Sequence, residues 1–169
     1  AYAPSGHRTC AHALEDRLLA AEPYLQDNIE QTMAGVEMRY DCYKLMQAQG
    51  HDEPTGKAKI TSGYHLPARF VLHTVGPIVQ GSLTDEHRRL LASCYESCLT
   101  LAAEHGLKGV AFCCISTGVF RFPKDEAAHI TIRTVRHWLD AHPDASIERV
   151  VFDVFEDADL LRYERLLYT

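Results

Sequence analysis

The sequence predicts an α/β fold, a three-layer α/β/α sandwich around a mainly parallel, mixed sheet. Three observations carry that expectation. Strand-like and helix-like segments alternate along most of the chain. Residues 109–115 form an almost continuous apolar run, the pattern of a strand covered on both faces. The 169 residues, 46% apolar and 24% charged, suit one domain with a sizeable core and leave little room for a second.

Residues 1–9 contain Pro4, Ser5 and Gly6 without an apolar period, so order is expected from near Cys10. Leu14, Leu18, Ala21 and Leu25 follow helical spacing, and Pro23 should end or kink that helix near Glu22. A clearer helix is expected from Asp27, a natural N-cap, to Gly50, with Ile29, Met33, Val36, Tyr40 and Tyr43 as its apolar stripe. Residues 1–26 therefore read as an N-terminal tail and helix, and 27–169 as the α/β domain proper. After Pro54 and Gly56 come two short strands, residues 57–61 and 69–75, the second stopped by Gly76-Pro77. Thr84 caps a long helix with Leu91, Cys94, Cys98 and Leu101 on one face, running to Gly106. The apolar run 109–115 follows. A helix from Lys124, with Ala128, Ile132, Val135 and Leu139 inward, stops before Pro143. Residues 149–155 and 157–167 are the last strand and helix.

A formal net charge of -6 with scattered basic residues offers no footprint for a polyphosphate backbone, so nucleic acid is not an expected partner. No run approaches the roughly 18 to 20 apolar residues of a membrane span, and no charged start with an apolar core suggests secretion. A cytoplasmic protein is expected. The chain begins with Ala1 and not Met, as if trimmed upstream. Its six cysteines match neither a disulfide framework nor a paired zinc motif, so reduced, buried thiols are expected, with Cys113 and Cys114 inside their strand. His7, Cys10 and His12 are the only Cys/His group near enough in sequence to hold a metal, without a recognised spacing.

In an open α/β sheet, ligands bind beyond the carboxyl ends of the strands. Ser116-Thr117-Gly118-Val119-Phe120-Arg121-Phe122-Pro123 joins the most buried strand to a helix, and its backbone N–H groups suit a concave anion site for a diphosphate. Residues of these types also build ordinary strand-to-helix loops. A second loop, Thr74-Val75-Gly76-Pro77, reads as a turn first and a binding edge second. His73 reads as a satisfied core or rim histidine, and Trp138 as packing.

These residues resemble a family. Thr55-Gly56-Lys57-Ala58-Lys59-Ile60-Thr61, Tyr64-His65-Leu66-Pro67 and Val71-Leu72-His73-Thr74-Val75-Gly76-Pro77 are similar to the middle of a macrodomain. Phe112-Cys113-Cys114-Ile115-Ser116-Thr117-Gly118-Val119-Phe120, with Phe122-Pro123, resembles that fold's phosphate-binding loop. The Cys-Cys-Ile-Ser-Thr-Gly wording and Met46-Gln47-Ala48-Gln49-Gly50 are most similar to the zinc-containing branch, microbial protein-ADP-ribosyl hydrolases.

The resemblance implies ADP-ribose, or a mono-ADP-ribosylated protein, as the partner and hydrolytic release of ADP-ribose as the activity. It implies a diphosphate cradle from Ser116, Thr117, Gly118, Val119 and Phe120, bordered by Gly76, Arg121, Asp153 and Phe155. Asp27 and Asn28 match the loop that positions the reacting ribose, where a carboxylate orients or deprotonates water; as plain residues they read as a helix cap. Phe155 reads equally as a core aromatic.

Three departures stand out. No pair of opening strands is evident before Asp27. The family's zinc is implied, yet the positions matching its ligands hold Pro23, Tyr24 and Leu25, as though a block between Gln26 and Asp27 had been removed. Arg121 stands where the family has Gly, either straining the loop or pairing with a phosphate. A non-catalytic ADP-ribose-binding module and a truncated inactive homologue are the competing readings.

Overall fold

The computed structural model describes residues 13–14 and 34–168. In chain order the elements are β1 (Ala13–Leu14), α1 (Val36–Gln49), β2 (Ala58–Ser62), β3 (Phe70–Thr74), α2 (Asp85–Glu104), β4 (Gly109–Phe112), α3 (Lys124–Ala141), β5 (Arg149–Phe152) and α4 (Asp157–Leu167). The strands form two small sheets. One has the order β1-β3-β2, with β1 parallel and β2 antiparallel to β3; in the other, β4 and β5 pair in parallel.

Alternation along β3 shows why the layers stack. Val71 points to one face, where it packs with Ala34, Met38 and Cys42 beneath α1. Leu72 points to the other, into a larger core with Leu91, Cys94, Cys98 and Leu99 of α2, Val110 and Phe112 of β4, and Val135 and Trp138 of α3. Period-2 alternation thus supplies both faces of the sandwich from one strand. Phe112 is fully buried and meets Tyr95 edge to face at 5.0 Å between ring centroids. Burying such a side chain contributes about 2–3 kcal/mol. A third group, Ala128, Ile132 and Tyr163, holds α4 against α3, with Phe152 and Val154 alongside.

Helix ends follow local chemistry. The Thr84 side chain accepts from the His87 N–H while the His87 ring accepts from the Thr84 N–H, so two orphan donors of α2 are satisfied reciprocally. The C-cap of α1 is Gly50 at φ 74, the left-handed stop that its sequence position suggested.

Several expectations need correction. Leu14 lies in β1, paired parallel with His73, and not in a helix; a short strand does precede Asp27. α1 buries Met38 and Cys42, whereas Val36, Tyr40 and Tyr43 of the expected stripe are exposed. The reason is that the apolar surface offered by Val71, Val75, Tyr64 and Leu66 is filled by Met38, Cys42 and Met46, which leaves the amphipathic tyrosines outside. β4 ends at Phe112, so Cys113 and Cys114 open the following loop and are half-buried. β5 ends at Phe152, which places Asp153 and Phe155 beyond the strand. The remaining residues of the expected first helix, with Ile29 and Met33, lie outside the described residues.

Candidate functional site

The carboxyl ends of β3, β4 and β5 bring three loops to one rim. Asp153 follows β5, and its N–H donates to the Phe112 carbonyl at 2.7 Å. Val79 N–H donates to the Phe120 carbonyl at 2.9 Å, tying the loop after β3 to the loop after β4. Gly76 is pressed against that same loop: a Cβ there would fall onto Ser116 Oγ and lie 2.7 Å from Ile115 Cγ2. The Gly76-Pro77 edge and the Ser116 loop are therefore neighbours.

The loop of residues 113–123 folds back on itself. Thr117 Oγ1 and N–H both donate to the Cys114 carbonyl, Arg121 N–H donates to Gly118 at 3.0 Å, and Phe122 N–H returns to Ser116 at 2.9 Å. Phe122 is buried and anchors the return, while Gly118 and Val119 form the exposed tip. The amides of Ser116, Gly118, Val119 and Phe120 meet no acceptor among the described residues. Unpaired N–H groups gathered in one short loop at a strand end are the ingredients of an anion cradle.

The left-handed residues of this loop are Ser116 at φ 63 and Arg121 at φ 59, with Gly118 on the ordinary side. Two non-glycine residues in that region mark a loop whose shape is imposed by its surroundings. Ser116 is also 1% exposed, with its hydroxyl unpartnered among the described residues. Leaving such a group unsatisfied costs about 1–3 kcal/mol.

α3 begins at the end of this loop with Pro123 as N-cap and no side-chain cap. Its first-turn carboxylates are tied away from the rim. Asp125 accepts from Arg162 at 2.8 Å and Glu126 from Arg88 at 2.6 Å. Lys124 bridges Glu156 at 2.8 Å and Asp159 at 3.0 Å. This network fixes α3 between α2 and α4 and neutralises negative charge beside the loop. Sequence reading missed it, along with the Val79 tie, because the pairings span 32 to 41 positions where no periodicity links them.

Of the remaining candidates, Phe155 is 82% exposed, so it is a rim aromatic and not core. Asp153 is half-buried beside it. Asp27, Asn28, His7, Cys10 and His12 lie outside the described residues. Trp138 is packed as expected, its Nε1–H donating to Thr100 Oγ1 at 3.1 Å. His73 is only half-satisfied. Its Nε2 lies 2.8 Å from Thr61 Oγ1 and 4.0 Å from Cys42 Sγ, while Nδ1 has no partner among the described residues. Burial lowers the His73 pKa to about 4 and, together with Asp41, pushes the Cys42 thiol up to about 11.

Among the described residues no group of three His, Cys, Asp or Glu side chains could hold a metal ion. The neutral Cys42–His73 pair supplies at most two donors, too few for the zinc that the family resemblance implies. No helix among the described residues is long and apolar enough to cross a membrane.

The family model for the Macro domain matches residues 23–131. A protein-ADP-ribose hydrolase of Treponema medium is 53% identical over 141 residues, covering 83% of this chain and 53% of that protein. This chain thus spans about half the length of the curated relatives it matches. A solved Oceanobacillus iheyensis macrodomain with ADP superposes with a TM-score of 0.75 at 34% identity, covering 83% of this chain and 73% of that one. A Trypanosoma brucei macrodomain in complex with ADP-ribose gives 0.74 at 32% identity, covering 92% and 61%.

Proposed function

The chain belongs to the macrodomain family, and from that premise we propose that it binds ADP-ribose and hydrolyses the bond joining ADP-ribose to a modified protein side chain. One observation carries the reading: the amides of Ser116, Gly118, Val119 and Phe120 face no acceptor among the described residues, at the carboxyl rim where α/β folds bind ligands. The diphosphate sits on those amides, with Gly118 admitting close approach and Thr117 bracing the turn. Gly76 forms the floor opposite Ser116, and Phe155, with Asp153 at its base, flanks the ligand from β5. The Oceanobacillus macrodomain with ADP and the Trypanosoma macrodomain in complex with ADP-ribose support the ligand, and the Treponema protein-ADP-ribose hydrolase supports the reaction.

In the proposed step a water oxygen attacks the anomeric carbon of the distal ribose as Asp27 takes the water proton, the bond from that carbon to the protein side chain breaks with its electron pair going to the side-chain atom, and the proton passes on to that atom. Asn28 orients the ribose. Both assignments rest on the family resemblance. The described residues do not fit a zinc site, and the step is written without one. The buried thiols of Cys42 and Cys98, in no disulfide among the described residues, support placement in the reducing cytoplasm.

Calorimetric titration with ADP-ribose, beside a release assay on a mono-ADP-ribosylated protein, tests the proposal. Saturable heat together with release is the expected result. Binding without release reduces the protein to a recognition module, and absence of both at millimolar ligand overturns the reading.

A further inference from the structure

We propose that Arg121 is a ligand-binding residue whose guanidinium closes over the diphosphate and makes the site selective for two phosphate charges. The inference rests on the ADP-ribose reading and deepens it.

Arg121 holds an unusual backbone. Its φ is 59, a conformation that side-chain-bearing residues rarely adopt. The surroundings enforce it. Phe120 is pinned by its carbonyl to Val79, Arg121 itself donates to Gly118, and Phe122 is buried and bonded back to Ser116. The chain must reverse between an exposed tip and a buried anchor within one residue, and glycine would do so without strain. The constrained backbone anchors the base of the Arg121 side chain on the rim, one residue from the unpaired Phe120 amide.

Its side chain is exposed and has no ion-pair or hydrogen-bond partner among the described residues. The contrast with its neighbours is instructive. Arg88, Arg162 and Lys124 each hold carboxylates at 2.6 to 3.0 Å, which leaves Asp125, Glu126, Glu156 and Asp159 already occupied. Arg121 is the cation of this loop, standing beside four amides that face no acceptor. A planar guanidinium matches two phosphate oxygens at once and adds the full positive charge that neutral amides lack. Together they suit a diphosphate better than a lone phosphate or an uncharged sugar.

The test compares the unaltered chain with Arg121→Gly and Arg121→Lys by titration with ADP-ribose and with inorganic pyrophosphate, at low and high salt, alongside melting temperature. Arg121→Gly should melt no lower than the unaltered chain, because glycine relieves the left-handed strain. Its affinity for both ligands should fall roughly tenfold, with a flatter salt dependence. Arg121→Lys should keep the salt dependence and lose part of the affinity. Equal or tighter binding by Arg121→Gly overturns the inference while leaving the ADP-ribose reading intact. A loss of affinity with unchanged salt dependence also overturns it, since that marks a structural role. Failure of the unaltered chain to bind either ligand overturns both.

Discussion

The two ends of the sheet differ in what they offer a ligand. At the amino ends of β3, β4 and β5 lies an open cleft of about 520 Å³, lined by Pro67, Phe70, Gly106, Gly109, Ala111 and Arg149 among others. At the carboxyl ends the loop of residues 113–123 carries two left-handed non-glycine residues, a buried unpartnered hydroxyl and four amides without acceptors among the described residues. The amino-end cleft has volume, and the left-handed residue in its lining is a glycine, Gly106, which adopts that conformation without strain. The carboxyl rim has unsatisfied polar groups and strain, features that folding alone does not reward. Unspent chemistry, more than hollow space, is what points the proposed ligand to the carboxyl rim.

Substitutions at the two ends should separate accordingly. The largest effect is expected from Gly76→Val, whose side chain would collide with Ser116 and Ile115. ADP-ribose binding should disappear, and the fold should lose about 1–3 kcal/mol by chemical denaturation. Gly118→Val comes next. Gly118 is exposed and has no left-handed φ, so stability should change by less than about 0.5 kcal/mol while affinity falls at least tenfold. Unchanged affinity in that variant would remove the cradle from the loop.

Between the two ends sits His73, and its effect is on stability. Its pKa is about 6.5 when exposed and about 4 when buried. Between those values the unfolded chain binds the proton and the folded chain does not, so stability falls as pH drops from 6.5 towards 4. The loss attributable to His73 should reach on the order of 3 kcal/mol at its limit. Denaturation midpoints across that range should be flatter for His73→Gln than for the unaltered chain. The smallest effect belongs to the amino end. Arg149→Glu reverses an exposed charge beside the cleft, and ADP-ribose affinity should stay within about twofold because salt screens charges beyond roughly 10 Å. A large change there would relocate the site and dissolve the contrast.

How much was legible follows the same physics. α3 was read correctly, with Ala128, Ile132 and Val135 buried, because a long helix with a wide apolar face has one way to turn. α1 was not. Val36, Tyr40 and Tyr43 have the right spacing, yet the space above Val71 admits Met38 and Cys42 instead. Periodicity shows that a face exists, and only the partner surface decides which face is buried. Leu14 was misread because a two-residue strand is too short to show alternation; its pairing with His73 is set by a segment about sixty positions away. At the site, the Ser116 to Phe122 loop was legible as a motif. The left-handed backbone at Arg121 was not, because it follows from where Phe120 and Phe122 are anchored.

Local patterns by themselves determined most element types, the Thr84 cap, the Gly50 stop and the Ser116 to Phe122 loop as a motif, since each depends on near neighbours in the chain. Tertiary structure alone decided which face of α1 is covered, that Gly76 meets Ser116, and that the carboxylates around α3 are already paired. Those outcomes depend on which distant surfaces compete for the same space and charge, and such competition is settled only when the layers close.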